Sequence, residues 1–254
     1  MDMARRVEAE WLDELPAHDP RAQRSRRDLV RINALMGNAA IVAGGLRRLK
    51  MGSGTHSRRP EEDACNSPSL EGNRTPAHFQ SIAEIGAGDG GFLLRVARSL
   101  EAREVEAILV DRKDIVTEST RREFAECRWR ARAIEADVFD WLRATPPVDA
   151  IVANLFLHHF EPPRLAEMLA LAASRARVFV ACEPRRSALA LNGARLLGLV
   201  GCNDVSRHDA VVSVRAGFRD AEISTLWPDA QSWSLDEGAR GLFSHLFVAA
   251  RRLP

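Results

Sequence analysis

The stretch "SIAEIGAGDGGFLLRVARSL", residues 81–100, decides the fold. Its apolar run from Ile82 to Ile85 breaks into glycines at 86, 88, 90 and 91, and an amphipathic segment follows with Phe92, Leu93, Val96 and Leu100 on one face. This pattern spells a strand, a tight turn and a helix. Such a turn lets main chain come close to a ligand at the positive end of the helix.

Outward from this turn, the chain after residue 80 alternates short apolar strands with helical segments. The expected strands are Ile82–Ile85, Glu106–Val110, Arg132–Glu135, Ala150–Ala153, Val178–Ala181, Ala221–Leu226 and Phe243–Ala250. Between the early ones lie "GFLLRVARSLEA", "DIVTESTRREFAEC" and "PPRLAEMLALAASR", each with helical spacing. Alternation of this kind predicts an α/β fold, a doubly wound, mostly parallel seven-stranded Rossmann-like sheet. The segment "WPDAQSWSLDEGARG" carries the turn residues of a hairpin-like return, which makes the last strand antiparallel. A ligand then belongs beyond the carboxyl ends of the strands.

Upstream, Asp19 can cap a helix that starts at Pro20, with Leu29, Ile32, Leu35 and Met36 as its apolar stripe. Residues 1–50 read as a helical cap, 51–79 as a polar flexible linker, and 80–254 as the main domain. The linker is the segment "MGSGTHSRRPEEDACNSPSLEGNRTP", which has no apolar period. The charge balance, Lys+Arg 36 against Asp+Glu 35, gives little long-range attraction for nucleic acid or an anionic membrane. The arginines of "RAQRSRRDLVR" then read as a solvated helix face or a cap over an anionic ligand. Cys65, Cys127, Cys182 and Cys202 form no CxxC pair and no metal-type spacing with histidine, so no metal site and reduced thiols are expected. The polar N-terminus does not read as a secretory signal, and "SALALNGARLLGLVG" is too short to span a bilayer. A cytoplasmic protein of undetermined oligomeric state is expected.

The strand ends suit a nucleoside-containing ligand. Strand one ends in Glu84 before the glycines, and strand two ends in Asp111, placed to accept from both ribose hydroxyls. After strand three, Asp137 stands beside Val138 and Phe139 as a clamp for a base edge and face. Strand four runs into Asn154, with His158 and His159 close behind. Gly86, Gly88 and Gly91 also satisfy the dinucleotide pattern G-x-G-x-x-G. Against NAD stands Glu84, a carboxylate inside an apolar strand end, which would repel a pyrophosphate and suits amine or amide donors better.

Taken in order, "AEIGAGDGG", "LVDRK", "ADVFD" and "AIVANLFLHHF" resemble motifs one to four of the class I S-adenosylmethionine-dependent methyltransferases, and "RAGFRDAEI" resembles the turn into their sixth strand. The resemblance covers roughly residues 80–254. "DELPAHDPRAQRSRRDLVRINALMGN" and "VSRHDAVVSVRAGF" look like a small bacterial branch found near polyketide-type biosynthetic enzymes. The resemblance implies S-adenosylmethionine as cofactor, with Glu84 near its aminoacyl part and Gly86, Ala87, Gly88 and Gly90 forming the turn against it. It further implies Asp111 at the ribose, Arg112 near adenine, Asp137 and Val138 on the adenine ring, and Asn154 and Leu155 at the methyl-transfer end. Arg31 and Asn33 are expected either at the cofactor carboxylate or in water.

Methyl transfer needs a base only where the acceptor carries a proton at neutral pH. For a phenol with pKa near 10 a base contributes roughly 10²–10⁴-fold. His208 beside Asp209, His158 and His159 are the candidate bases, each with a packing role as its alternative; His245 reads as a core or edge residue, and Glu183 is a further candidate. The expected activity is methylation of a small molecule, with a phenolic hydroxyl of a polyketide-like metabolite first. Carbon methylation, RNA methylation, an NAD-binding oxidoreductase and a non-catalytic cofactor-binding relative remain open.

Overall fold

The computed structural model describes residues 3–16, 18–50 and 79–252, apart from the side chain of Lys50. All but one residue of the expected linker lies outside the described residues. The strands are β1 (Ser81–Ile85), β2 (Val105–Asp111), β3 (Trp129–Glu135), β4 (Val148–Asn154), β5 (Ala176–Pro184), β6 (Trp233–Arg240) and β7 (Ser244–Arg251). They form one sheet in the order β3-β2-β1-β4-β5-β7-β6, with β7 antiparallel to both neighbours and the other pairings parallel.

The inner strands are mostly apolar because both sheet faces are covered, with Glu84 of β1, Asn154 of β4 and Glu183 of β5 as buried polar exceptions. Successive residues point to opposite faces. Ala83, Ile85, Ile151, Phe179 and Phe247 enter one core with α6 (Val138–Ala144) and α7 (Pro162–Arg175). Ile82, Leu109, Val152, Val180 and Val248 enter the other with α3 (Asn38–Lys50), α4 (Gly91–Ser99) and α5 (Glu118–Glu126). The N-terminal region thus supplies one layer of the core, since Val42, Ala43 and Leu46 of α3 are fully buried against the sheet.

The sixth strand differs from the expectation. Ala221–Leu226 is a turn followed by a 3-10 segment at Ser224–Leu226, and the sixth strand is Trp233–Arg240. Glu237 explains the turn: its carboxylate accepts from the N–H groups of Ile223 and Ser224 at 2.9 and 2.7 Å. Ile223 and Trp227 are apolar because they plug the core, and not because they belong to a ladder.

Residues 3–10 are not helical either. They run as an irregular strap into the short helix α1 (Trp11–Glu14). The helix α2 (Pro20–Met36) starts as expected, with Asp19 accepting from the N–H of Arg21 at 2.8 Å, and ends at Gly37 in the left-handed region. Its buried face, however, is Ala22, Ser25 and Asp28, packed on α9 (Asp204–Ala216). Asp28 accepts there from the Ser206 hydroxyl and the Asn203 N–H, so polar complementarity turns the apolar stripe outward. Leu29 and Val30 then face a cleft, and Leu35 is 81% exposed. The remaining helix, α8 (Ala188–Leu196), precedes α9. No single described helix is long and apolar enough to cross a membrane.

Candidate active site

The strand order reverses between β1 and its neighbours β2 and β4, and a cleft of about 650 Å³ opens beyond the carboxyl ends of these strands. One end is built by the glycine turn. The Ala87 N–H donates to Val110 O at 3.1 Å and the Ala136 N–H to Asp111 O at 2.9 Å, tying the three loop starts together. Gly86, with φ +69°, lies under the ring of Phe156: a Cβ there would stand 2.3 Å from Phe156 Cδ2. Bare main chain is required at that point.

Glu84, Gly86, Ala87, Gly88, Asp111, Arg112, Asp137, Val138, Asn154 and Leu155 all line this cleft. Gly90 does not. It begins α4 at φ +75°, and a Cβ on it would meet Leu109 Cδ1 at 2.7 Å, so its role is packing. Asp111 is oriented by two main-chain donors, Gly88 N–H on Oδ2 at 2.9 Å and Lys113 N–H on Oδ1 at 3.1 Å. Asp137 caps α6 through the Phe139 N–H at 2.8 Å and lines the cleft as well. The side chain is thus fixed by the helix start that it caps. Leu155 takes φ +50°, a left-handed conformation uncommon for a branched side chain, directly after β4.

Glu84 is sealed, with one N–H donor, that of Leu93, at 3.3 Å. Burial pushes its carboxyl well above the usual range; the Leu93 bond opposes this, and the charges of Asp89 and Asp111 add to it. A cation arriving in the cleft that Glu84 lines would favour its ionised form.

The other end is built largely by residues the sequence did not mark. The strap contributes Val7, Glu8, Glu10, Leu12 and Asp13 to the lining. Arg5 fastens it, donating from Nε to Ala216 O at 2.8 Å and from Nη2 to Phe160 O at 2.9 Å. Asp209 holds the start of α1 by accepting from Trp11 N–H and Leu12 N–H at 2.8 and 3.0 Å. Beneath the strap, His158 is sandwiched between carboxylates, with Nδ1 2.8 Å from Glu183 Oε2 and Nε2 3.3 Å from Glu10 Oε1. Burial alone would lower its pKa, but the bonds and charges of Glu10 and Glu183 raise it to about 9. It is an imidazolium at neutral pH, both nitrogens donating. In return Glu10, which burial would raise, is held at about 2 by His158 and by Ser213.

This separates the candidate bases. His158 already carries its proton. His208 stays outside the cleft lining: it stacks on Trp11 with ring centroids 3.8 Å apart and pairs with Asp209 at 3.0 Å. Glu183 is sealed, accepting from the N–H groups of Phe156 and Leu157 besides His158. His159 lines the cleft with its side chain 26% exposed, and burial together with the positive charge of His158 lowers its pKa. It is neutral at pH 7, with Nδ1 3.8 Å from Asp13 Oδ2. His245 is a buried residue of β7 paired with Glu237 at 2.9 Å, as read.

Glu10, His158 and His159 offer ligand atoms within 4.8 Å of one another. The two rings stack with centroids 4.3 Å apart and planes 30° apart, and both nitrogens of His158 are already paired with carboxylates.

The strand order with a reversed β7, the glycine turn and the acid at the end of β2 define a class I methyltransferase fold and separate it from the 3-2-1-4-5-6 order of dinucleotide-binding sheets. Residues 82–177 match the family model described as "Methyltransferase domain". No curated protein matches the chain by sequence. Among solved structures, an O-methyltransferase family protein from Burkholderia thailandensis superposes with a TM-score of 0.57 at 17% identity, covering 92% of this chain. The chain spans 61% of that protein's length. The plantazolicin methyltransferase BpumL, in complex with SAH, superposes at 0.60 and 12% identity, covering 92% of each chain. BamL, a second plantazolicin methyltransferase, gives 0.60 and 12%, covering 93% of this chain and 92% of its own. At these identities the likeness is one of fold.

Proposed function

We propose that the protein transfers a methyl group from S-adenosylmethionine to a small-molecule acceptor, and that the acceptor atom is a phenol-like hydroxyl. The cleft fits the donor. Bare main chain at Gly86 and Gly88, a main-chain-oriented carboxylate at Asp111 and a buried carboxyl at Glu84 suit a thioether nucleoside that ends in an ammonium group. Asp111 would hold the ribose hydroxyls, Asp137 and Val138 the adenine, and Arg112 would cover it from the rim. When bound, the donor supplies an activated methyl on sulfonium, so the protein's task is alignment and exclusion of water.

The observation that carries the hydroxyl reading is the contrast between the two adjacent histidines. His158 is a fixed imidazolium, whereas His159 is neutral, faces the cleft and lies beside Asp13. His159 takes the acceptor proton as the nucleophile attacks, and Asp13 steadies the charge that forms. Phe156 and Phe160, edge to face with centroids 5.2 Å apart, offer an apolar wall suited to a flat acceptor. The strap over the acceptor end is the element that excludes water.

Calorimetry with S-adenosylhomocysteine and, separately, NADH tests the cofactor. Incubation of metabolite extracts with methyl-labelled donor, read by mass spectrometry, finds the acceptor. With it in hand, His159→Ala is expected to lower kcat about 10²–10⁴-fold at neutral pH, with His208→Ala near wild type. Equal turnover by His159→Ala and wild type overturns the base assignment.

A further inference from the structure

We propose that Asn38 is a positioning residue that fixes the amides of Asn33 and Asn154 so that both present N–H donors to the carboxylate of the cofactor's aminoacyl end. This rests on the cofactor reading above. Asn38 is fully buried at the start of α3, outside the cleft lining, and touches no ligand space. Its Nδ2 donates to Asn33 Oδ1 at 3.1 Å and to Asn154 Oδ1 at 3.0 Å, and its Oδ1 accepts from the Ser244 hydroxyl at 2.7 Å. Every hydrogen-bonding atom of its side chain is thereby committed, in one orientation.

The consequence lies in front of it. Asn33 and Asn154 do line the cleft, and both carbonyl oxygens are drawn back toward Asn38. Asn154 Nδ2 also reaches Asn33 Oδ1 at 3.4 Å. What remains forward is one N–H of Asn154 and the amide nitrogen of Asn33. The wall that joins α2 to β4 is therefore a donor surface, complementary to an acceptor group on the ligand. β4 pairs directly with β1, Val152 opposite Glu84, so the donor surface lies beside the carboxyl that ionises for a cation. An ammonium at Glu84 and a carboxylate at the two amides describe the amino-acid end of one molecule. The left-handed Gly37 sits at a 51° bend between α2 and α3, and Asn33 and Asn38 meet across that bend.

The test compares two ligands by calorimetry: S-adenosylhomocysteine, and 5′-methylthioadenosine, which lacks the aminoacyl end. Asn38→Asp keeps the shape but removes both donated bonds. Ser244→Ala, which is neutral, frees Asn38 to turn over. Both variants are expected to weaken S-adenosylhomocysteine, about ten- to a hundredfold for Asn38→Asp and less for Ser244→Ala, with methylthioadenosine within about twofold of wild type. Equal loss for both ligands marks a merely structural residue and overturns the proposal, as does no loss at all. Selective loss in Asn38→Asp alone means charge repulsion and overturns it too. If Asn38→Asp does not fold, Ser244→Ala decides by the same criterion. A wild-type protein that binds neither ligand overturns the cofactor reading itself, and that failure is visible before any variant is made.

Discussion

Raising the pH should undo the clamp that holds the strap over the acceptor end. His158 titrates near 6.5 when unfolded and near 9 in the folded protein. Between those values the folded state keeps a proton that the unfolded state has released, so stability falls as pH rises. The contribution is complete below about pH 6.5, declines by about 1.4 kcal/mol per pH unit, and is gone above about pH 9. The whole is about 3 kcal/mol, or about 6–12 °C in Tm for a chain of this size. Glu10, held near 2, reports the same bond from the other partner, so the two shifts are counted once. The facing titratable groups are Glu10 from the strap, Glu183 from β5 and His159 from the same turn, while Arg5 donates to the His158 carbonyl. Urea unfolding of wild type and His158→Gln from pH 6 to pH 10 isolates the effect. The variant loses about 3–5 kcal/mol at pH 7, because Glu10 and Glu183 remain buried without a counter-charge. Its slope between pH 6.5 and 9 should be flatter than that of wild type. Parallel slopes would refute the buried imidazolium, and with it the assignment of His159 as the proton acceptor.

Asp111→Ala removes an acceptor that Gly88 and Lys113 hold in place; S-adenosylhomocysteine binding should weaken about 10²–10⁴-fold, two charge-assisted bonds, while circular dichroism stays unchanged. Burial raises the Glu84 carboxyl and a bound cation would lower it again, so cofactor binding should release a proton wherever the free protein still holds it. Calorimetry in buffers of differing ionisation enthalpy checks this, and affinity should rise with pH until Glu84 is ionised in the free protein; Glu84→Gln should show no such release. Gly86→Ala combines a left-handed φ of +69° with a Cβ inside the Phe156 ring. It should cost about 1–2 kcal/mol from the backbone alone, with further loss as Phe156 moves, measured by thermal unfolding and cofactor affinity together.

What the residues determine among near neighbours was legible without coordinates. The break from Ile85 into glycine, the helix restart at Gly91, the acid closing β2 and the Asp19–Pro20 helix start are each written within a few positions, and local steric and capping rules act over that range. The donor end of the cleft follows from them, since a doubly wound sheet delivers successive strand ends to one edge. The acceptor end does not. His158 meets Glu10 across 148 positions, and Asn38 meets Asn154 across 116. A lone acid in an extended strap, or an asparagine at a helix start, has no period that announces its partner. The sixth strand shows the same limit from the other side. Trp233–Arg240 lies at the sheet's edge with Asp236 exposed and Glu237 turned inward, while Ala221–Leu226 looks like a strand and instead sends Ile223 into the core. Sequence alone determined where a ligand belongs; which side chains close over it, and which histidine keeps its proton, only the tertiary structure decided, because burial and charge pairing depend on contacts between segments far apart in the chain.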